Sequence, residues 1–235
     1  MKSMRKESSA TSNVIIKVSS LCRPRNFIFA ALFILAVFLS ACSNPSGSDG
    51  AAYKIGDKGP AGGIVFYDRG YYHNDTYSVG SVDYTINWRY MEAAPASTEF
   101  MAEWGPQNYD VSIGNSSMLT WSDVGNGEKN TQIIVNSYSE YDLTGFAAQK
   151  CINLVVGKYN DWFLPSNQEL LAMYNNLKVA NLGGFSNALY WSSTQANPDS
   201  DGVFNLAYAV NFDDGSYLVG WIKDVSRLVR AVRYF

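Results

Sequence analysis

One histidine and three cysteines among 235 residues leave little for metal or redox chemistry. Most zinc sites, any relay between two imidazoles and any disulfide-dense scaffold are excluded on that count. Charged residues make up only 17% of the chain, below the roughly 25% usual for soluble domains. The formal net charge of −3 speaks against a generally basic nucleic-acid binder. Phosphate loops are missing too: Gly59-Pro60-Ala61-Gly62-Gly63 and the stretch Val124–Thr131 contain glycine but no Gly-Lys-Ser/Thr ending, and both read as turns. Asn130-Thr131 suits the cap of a following helix. What the chain has in quantity is apolar and aromatic, with 47% hydrophobic residues, sixteen Tyr and six Trp. That composition builds a packed core and is foreign to disorder.

The average hides two unlike parts. Lys2, Arg5, Lys6, Lys17, Arg23 and Arg25 stand against the single acid Glu7 before the thirteen-residue apolar run Phe27–Leu39. A bilayer-spanning helix needs about 20 apolar residues, whereas a secretory h-region takes about 7–15 behind a positive start. Leu39-Ser40-Ala41-Cys42 follows and resembles a bacterial lipobox, in which the cysteine is acylated and becomes the new N-terminus. The expectation is a lipoprotein signal peptide over 1–41 and a lipidated Cys42 with a Gly/Ser/Pro tether over 42–52. The leader carries six of the eighteen basic residues and one of the twenty-one acids, so the remainder has a net charge of −8. Cys151 is then the only thiol not consumed by the leader or the lipid, in an apolar stretch that suits a small buried hydrophobe.

Residues 53–235 read as one domain. Tyr53–Trp121 is strand- and loop-rich, with a short β-run at Ile64-Val65-Phe66-Tyr67. Spacing by i, i+3, i+4, i+7 predicts a helix over Phe146–Val156 stopped by Gly157. A second begins at Ser166-Asn167-Gln168-Glu169, a capping box, with Leu170, Tyr174 and Leu177 as its apolar stripe. Alternation over Phe204–Phe212 predicts a strand, Asp214-Gly215 a hairpin, and Tyr217, Val219 and Trp221 the return strand. Arg227–Phe235 is β-like without clean alternation, and its three arginines await carboxylate partners.

Five segments, in order, carry a resemblance: Gly62–Tyr67 (GGIVFY), Trp88–Pro95 (WRYMEAAP), Asp161–Ser166 (DWFLPS), Tyr190–Ser193 (YWSS) and Val229–Arg233 (VRAVR). Together they resemble the DUF1566 family, known also from the C-terminal domain of a Legionella collagen-like adhesin and common in bacterial surface lipoproteins. The resemblance implies a C-type-lectin-like α+β fold, with two helices packed on short antiparallel strands, neighbouring termini and a C-terminal β-hairpin. Related enzymes of that fold group rely on a cysteine pair, which the lone Cys151 cannot supply. Their calcium-dependent lectins carry signatures and disulfides that this chain lacks.

By the same resemblance, the ligand face would comprise Tyr190, Trp191, Gln195, Asn197, Asn205, Asn211, Asp213, Tyr217, Trp221 and Lys223. Tyr190 and Trp191 read equally as core. His73, in the polar aromatic stretch Gly70–Asp75, reads as a surface loop residue. Asp199, Asp201, Asp213 and Asp214 read as turn residues rather than a glycosidase pair. The expectation is therefore an extracytoplasmic, lipid-anchored binding or adhesion module of the cell envelope, on the outer membrane or cell surface. It would be non-catalytic, without cofactor or metal, bound to the membrane by its lipid and to a glycan or protein ligand, and would take no nucleic acid. The alternatives are a carboxylate-dependent envelope hydrolase and a structural envelope lipoprotein.

Overall fold

The turn cluster Gly59–Gly63 feeds a strand, as its composition predicts, but that strand runs far beyond Tyr67. A computed structural model describes residues 52–111, 122–197, 204–217 and 220–235, all within the compact unit Asp49–Phe235. The leader 1–41, Cys42 with the tether up to Ala51, Trp121, Asp199, Asp201 and Val219 lie outside the described residues. Strands β1 (Ile64–Val79) and β2 (Val82–Ala93) form a long antiparallel hairpin closed by Gly80-Ser81. β3 (Phe100–Ala102) is followed by helices α1 (Gly127–Ser139), α2 (Ala147–Ile152) and α3 (Asn167–Met173), the last continuing as one π-turn over Tyr174–Lys178. Strands β4 (Leu189–Gln195), β5 (Leu206–Asn211), β6 (Gly220–Ile222), β7 (Arg227–Val229) and β8 (Val232–Tyr234) complete the chain. They form two sheets, β1-β2-β8 and β3-β7-β4-β5-β6, so the fold is mixed α+β.

The five-stranded sheet is buried on both faces. On one, Trp191, Ala207, Ala209 and Val229 meet Ile134 and Tyr138 of α1 and Ala148 and Cys151 of α2. On the other, Tyr190, Val210 and Phe212 meet Leu170, Met173 and Leu177 and the smaller sheet's Phe66 and Met91. This explains the period of two over 204–212. Its large members do not mark the one buried face; Ala207 and Ala209 are as buried as Val210 and Phe212. Large and small side chains alternate because helices cover both sides. Cys151 is fully buried, and burial pushes its thiol well above the ordinary range, as suits an inert apolar filler.

Two helices are legible with their starts, and the third only as a helix following Asn130-Thr131, a few residues late. The capping box forms as its spelling predicts: Glu169 N donates to Ser166 Oγ at 3.3 Å, and Ser166 N donates to Glu169 Oε2 at 2.8 Å. Because Ser166 Oγ also donates to Asp123 O at 2.8 Å, Ser166→Ala is expected to cost about 1–2 kcal/mol in urea unfolding. The helix over 146–156 is shorter than its periodicity, ending at Ile152. Leu154 N bonds Cys151 O in a tighter turn, Val155 is exposed, and Gly157 serves the turn to Tyr159. The turn at 124–131 is a correction: α1 begins at Gly127, so Asn130 and Thr131 sit inside its first turns, both buried. They cap nothing.

The absence of alternation over 227–235 also has a cause. The chain changes sheets at Arg230-Ala231, leaving β7 in one sheet and β8 in the other. Two of its arginines find carboxylates: Arg230 NH2 lies 2.6 Å from Glu99, and Arg233 bridges Glu92 at 2.8 Å and Asp161 at 2.6 Å. Arg227 instead stacks between Trp191 and Trp221, 5.1 and 4.5 Å from their ring centres. Glu92 is wholly buried, and its carboxylate also accepts from Ala61 N and Gly63 N, each at 3.1 Å. A Cβ on Gly63 would collide with Ala93 O, so only glycine lets this turn close on the carboxylate. Four of the motif segments thus meet around Glu92, Asp161 and Arg233, while Tyr190 of the remaining one joins Arg230 through Glu99.

Candidate functional site

The hairpin β1–β2 is not regular. Between the pairs Asp68↔Tyr90 and His73↔Trp88, β1 carries three more residues than β2. Gly70, at φ +91°, takes the left-handed bend that this bulge requires. The bulge lays the Arg69 guanidinium 4.1 Å above the Trp88 ring, whose other face stacks on Tyr234 at 4.4 Å. Asp75 ties the arrangement together, accepting from Arg69 NH1 at 2.8 Å and Trp88 Nε1 at 2.6 Å. His73 stands beside it, its Nε2 3.8 Å from Asp75 Oδ1 and its side chain 55% exposed. It lies on a strand, not in a loop as its sequence context suggested.

Across from this floor stands the start of α1. Val124, Gly125, Asn126 and Lys129 face Tyr67, Asn74, Asp75 and Tyr77 over an open groove of about 460 Å³. Aromatic rings alternate with amide, ammonium and imidazole groups along its lining. Arg69, paired with Asp75, and Lys129 bring cationic groups to the lining, and Asp75 is its acidic member among the described residues. Burial pulls the Lys129 ammonium down from its ordinary range.

Glu169 holds the α1 wall in place. This fully buried carboxyl accepts from Gly125 N at 2.8 Å, Gly127 N at 3.2 Å, Ser166 N at 2.8 Å and the Tyr234 hydroxyl at 2.9 Å. It therefore does for α1 what a local cap does elsewhere, across 42 residues of sequence. Gly127 is needed because a Cβ there would strike Glu169 Oε2. Burial pushes the Glu169 carboxyl above its usual range, against the pull of its four donors.

Glu128 lies next along α1. Burial foremost, then the charges of Asp161 and Glu169, push its carboxyl from the ordinary 4.5 to about 7. The Tyr77 hydroxyl faces it from β1, buried and without a hydrogen bond of ordinary geometry among the described residues.

The residues assigned to a ligand face by resemblance do not gather around this groove; none of the ten lines it. Tyr190, Trp191, Gln195 and Lys223 are fully buried, a correction to their placement on an exposed face. Tyr190 donates to Glu99 at 2.9 Å and Trp191 to Ala102 O at 3.1 Å, on opposite faces of the sheet. Asn205, Asn211, Tyr217 and Trp221 are half-buried, with Asn205 accepting from Asn108 N at 2.9 Å and Asn211 from Asp213 N at 3.1 Å. Only Asn197 and Asp213 are open to solvent. The turn acid Asp214 sits below its usual range because Ser216 donates to it, as a hairpin tip requires. Among the described residues no cluster of three His, Cys, Asp or Glu side chains is arranged to hold a metal, and no helix is long and apolar enough to cross a membrane.

No family model matches the chain, and no curated protein matches it. The DUF1566 resemblance therefore rests on the five segments themselves. Among solved structures, a fimbrial protein from Bacteroides ovatus is similar at 17% identity and a TM-score of 0.45, over 63% of this chain. The chain spans only 36% of that protein's length. A likeness of that size falls short of a shared fold, and no activity follows from it.

Proposed function

We propose that the chain is a non-catalytic binding module of the cell envelope, whose groove between the bulged β1–β2 hairpin and the start of α1 receives a glycan or protein ligand. The lipobox resemblance supports an anchor at Cys42, and the five segments support a C-type-lectin-like member of the DUF1566 kind. The groove carries the reading. It combines flat apolar rings with fixed amide and cationic donors, the pairing that sugar faces and hydroxyls require. Asn74, Asn126 and Lys129 offer polar side chains along the same groove to a ligand's hydroxyl or carbonyl groups.

The same lining argues against the hydrolase alternative. Glycoside cleavage uses two carboxyl groups at a set separation. Among the described lining residues Asp75 alone is acidic, and Arg69 and Trp88 already occupy it. Testing is direct: the chain without its leader and lipid is screened on glycan and envelope-protein arrays, then as Lys129→Glu. The variant should lose about tenfold or more in affinity for whichever binder the arrays identify, the loss of roughly one hydrogen-bonded contact in the groove. Equal binding by wild type and variant would remove the groove from the account.

A further inference from the structure

Among the described lysines, Lys223 alone is fully buried. It follows β6, held by its backbone: Lys223 N donates to Asn205 O at 3.0 Å, and Trp104 N donates to Lys223 O at 2.8 Å. Its Nζ lies 4.7 Å from the Trp104 ring centre, 2.7 Å from Tyr109 O and 2.6 Å from Gln195 Oε1. No carboxylate forms a salt bridge with it among the described residues. A charged ammonium is costly in such a place, and burial brings the Lys223 pKa down to about 7, with Asp110 pulling the other way. Much of the side chain is therefore the free amine near neutral pH.

Gln195 meets that amine with its carboxamide already polarised. Val111 N donates to Oε1 at 3.3 Å, while Gln195 Nε2 donates to Asp110 Oδ1 at 2.8 Å. An amine, a carbonyl oxygen held by a backbone N–H, and a carboxylate on the departing nitrogen are the parts of an amide transfer. Among the described residues Cys151 is the one cysteine, buried and unpaired, so no disulfide staples this sheet.

We propose that Lys223 and Gln195 condense into an intramolecular side-chain amide, releasing ammonia, with Asp110 as the proton carrier. The amine swings from Oε1 to the adjoining Cδ, and its lone pair forms the Nζ–Cδ bond. The carbonyl electron pair moves onto Oε1, beside Val111 N–H. Asp110 takes a proton from Nζ and delivers it to Nε2. The Cδ–Nε2 bond then breaks as the carbonyl re-forms, and ammonia leaves. No oxidant or other co-reactant enters. The product straps the end of β4 to the end of β6, enclosing the β5–β6 hairpin between them.

The two residues fall in one tryptic segment, Val179–Lys223, with the next cleavage site at Arg227. The full chain, kept folded at neutral pH, is denatured, digested and weighed. The account expects a segment 179–227, uncut after Lys223 and lighter by one ammonia, with fragment ions joining Gln195 to Lys223. The missed cut separates this product from a succinimide at one of the segment's asparagines. Asp110→Asn, checked for native near-UV circular dichroism, should form it at least about a hundredfold more slowly, the usual contribution of a general acid–base. Folded wild type that yields 179–223 cut at full mass overturns the proposal. Unchanged formation in folded Asp110→Asn overturns the role of Asp110.

Discussion

Replacing Glu169 with alanine is expected to abolish cooperative folding. The carboxyl, itself fully buried, answers three backbone N–H groups and one hydroxyl, all buried but the partly exposed Gly125 N–H. Each buried donor left without a partner costs about 1–3 kcal/mol, and a cavity adds to that. Three such donors together with the cavity approach a typical domain's entire stability of about 5–15 kcal/mol. Glu169→Gln keeps an acceptor toward Gly125, Gly127 and Tyr234 and loses only the bond from Ser166. It should remain folded and be destabilised by about 1–3 kcal/mol. Urea unfolding monitored by near-UV circular dichroism separates the two variants. Equal stability of the alanine and glutamine variants would show that Glu169 does not hold α1.

Glu128→Gln should have the opposite sign at neutral and alkaline pH. Below about pH 4.5 the Glu128 carboxyl is protonated in both the folded and the unfolded chain, and its burial carries no charge penalty. As pH rises, the unfolded chain releases the proton first, because the folded pKa is raised to about 7. Stability therefore falls across the window from about 4.5 to 7, and the loss is complete above it. That displacement corresponds to roughly 3 kcal/mol. The groups facing Glu128 are Tyr77 from β1, Tyr234 from β8, Glu169 from α3 and Asp161, and glutamine removes the charge they oppose. The stability difference between variant and wild type should grow from near zero at about pH 4 to about 3 kcal/mol at about pH 8. A difference that does not change with pH would contradict the burial of this carboxyl. The same titration touches the groove, since Glu128 adjoins both Lys129 and Tyr77.

What the sequence revealed divides by the range of the forces involved. Local signals were legible: Ser166 and Glu169 spell their own helix start, and Asp214-Gly215 its hairpin. The α+β class, implied by the resemblance, agrees with these elements. The start of helix α1 was hidden because it depends on Glu169 from another helix, and N-cap Asn126 provides no side-chain cap. The bulge that seats Arg69 over Trp88 was equally hidden, because it is visible only as a mismatch of register between two strands. Gly70 between two polar aromatic runs was the one available signal. The groove went unforeseen for the same reason: its two walls, 67–77 and 124–129, carry no motif relating them. Resemblance pointed instead to 190–223, where a sheet covered on both faces buries Tyr190 and Trp191. In their composition those residues look like a paratope, but by packing they are core.

The most direct test sets the two faces against each other. Asn126→Trp fills the groove beside α1, while Asp213→Trp alters the exposed hairpin tip and leaves the groove untouched. Each is compared with wild type for affinity to whichever glycan or envelope protein the arrays identify. The account predicts that Asn126→Trp abolishes binding and that Asp213→Trp binds as wild type does. Binding that survives a blocked groove and disappears with the hairpin substitution would contradict it.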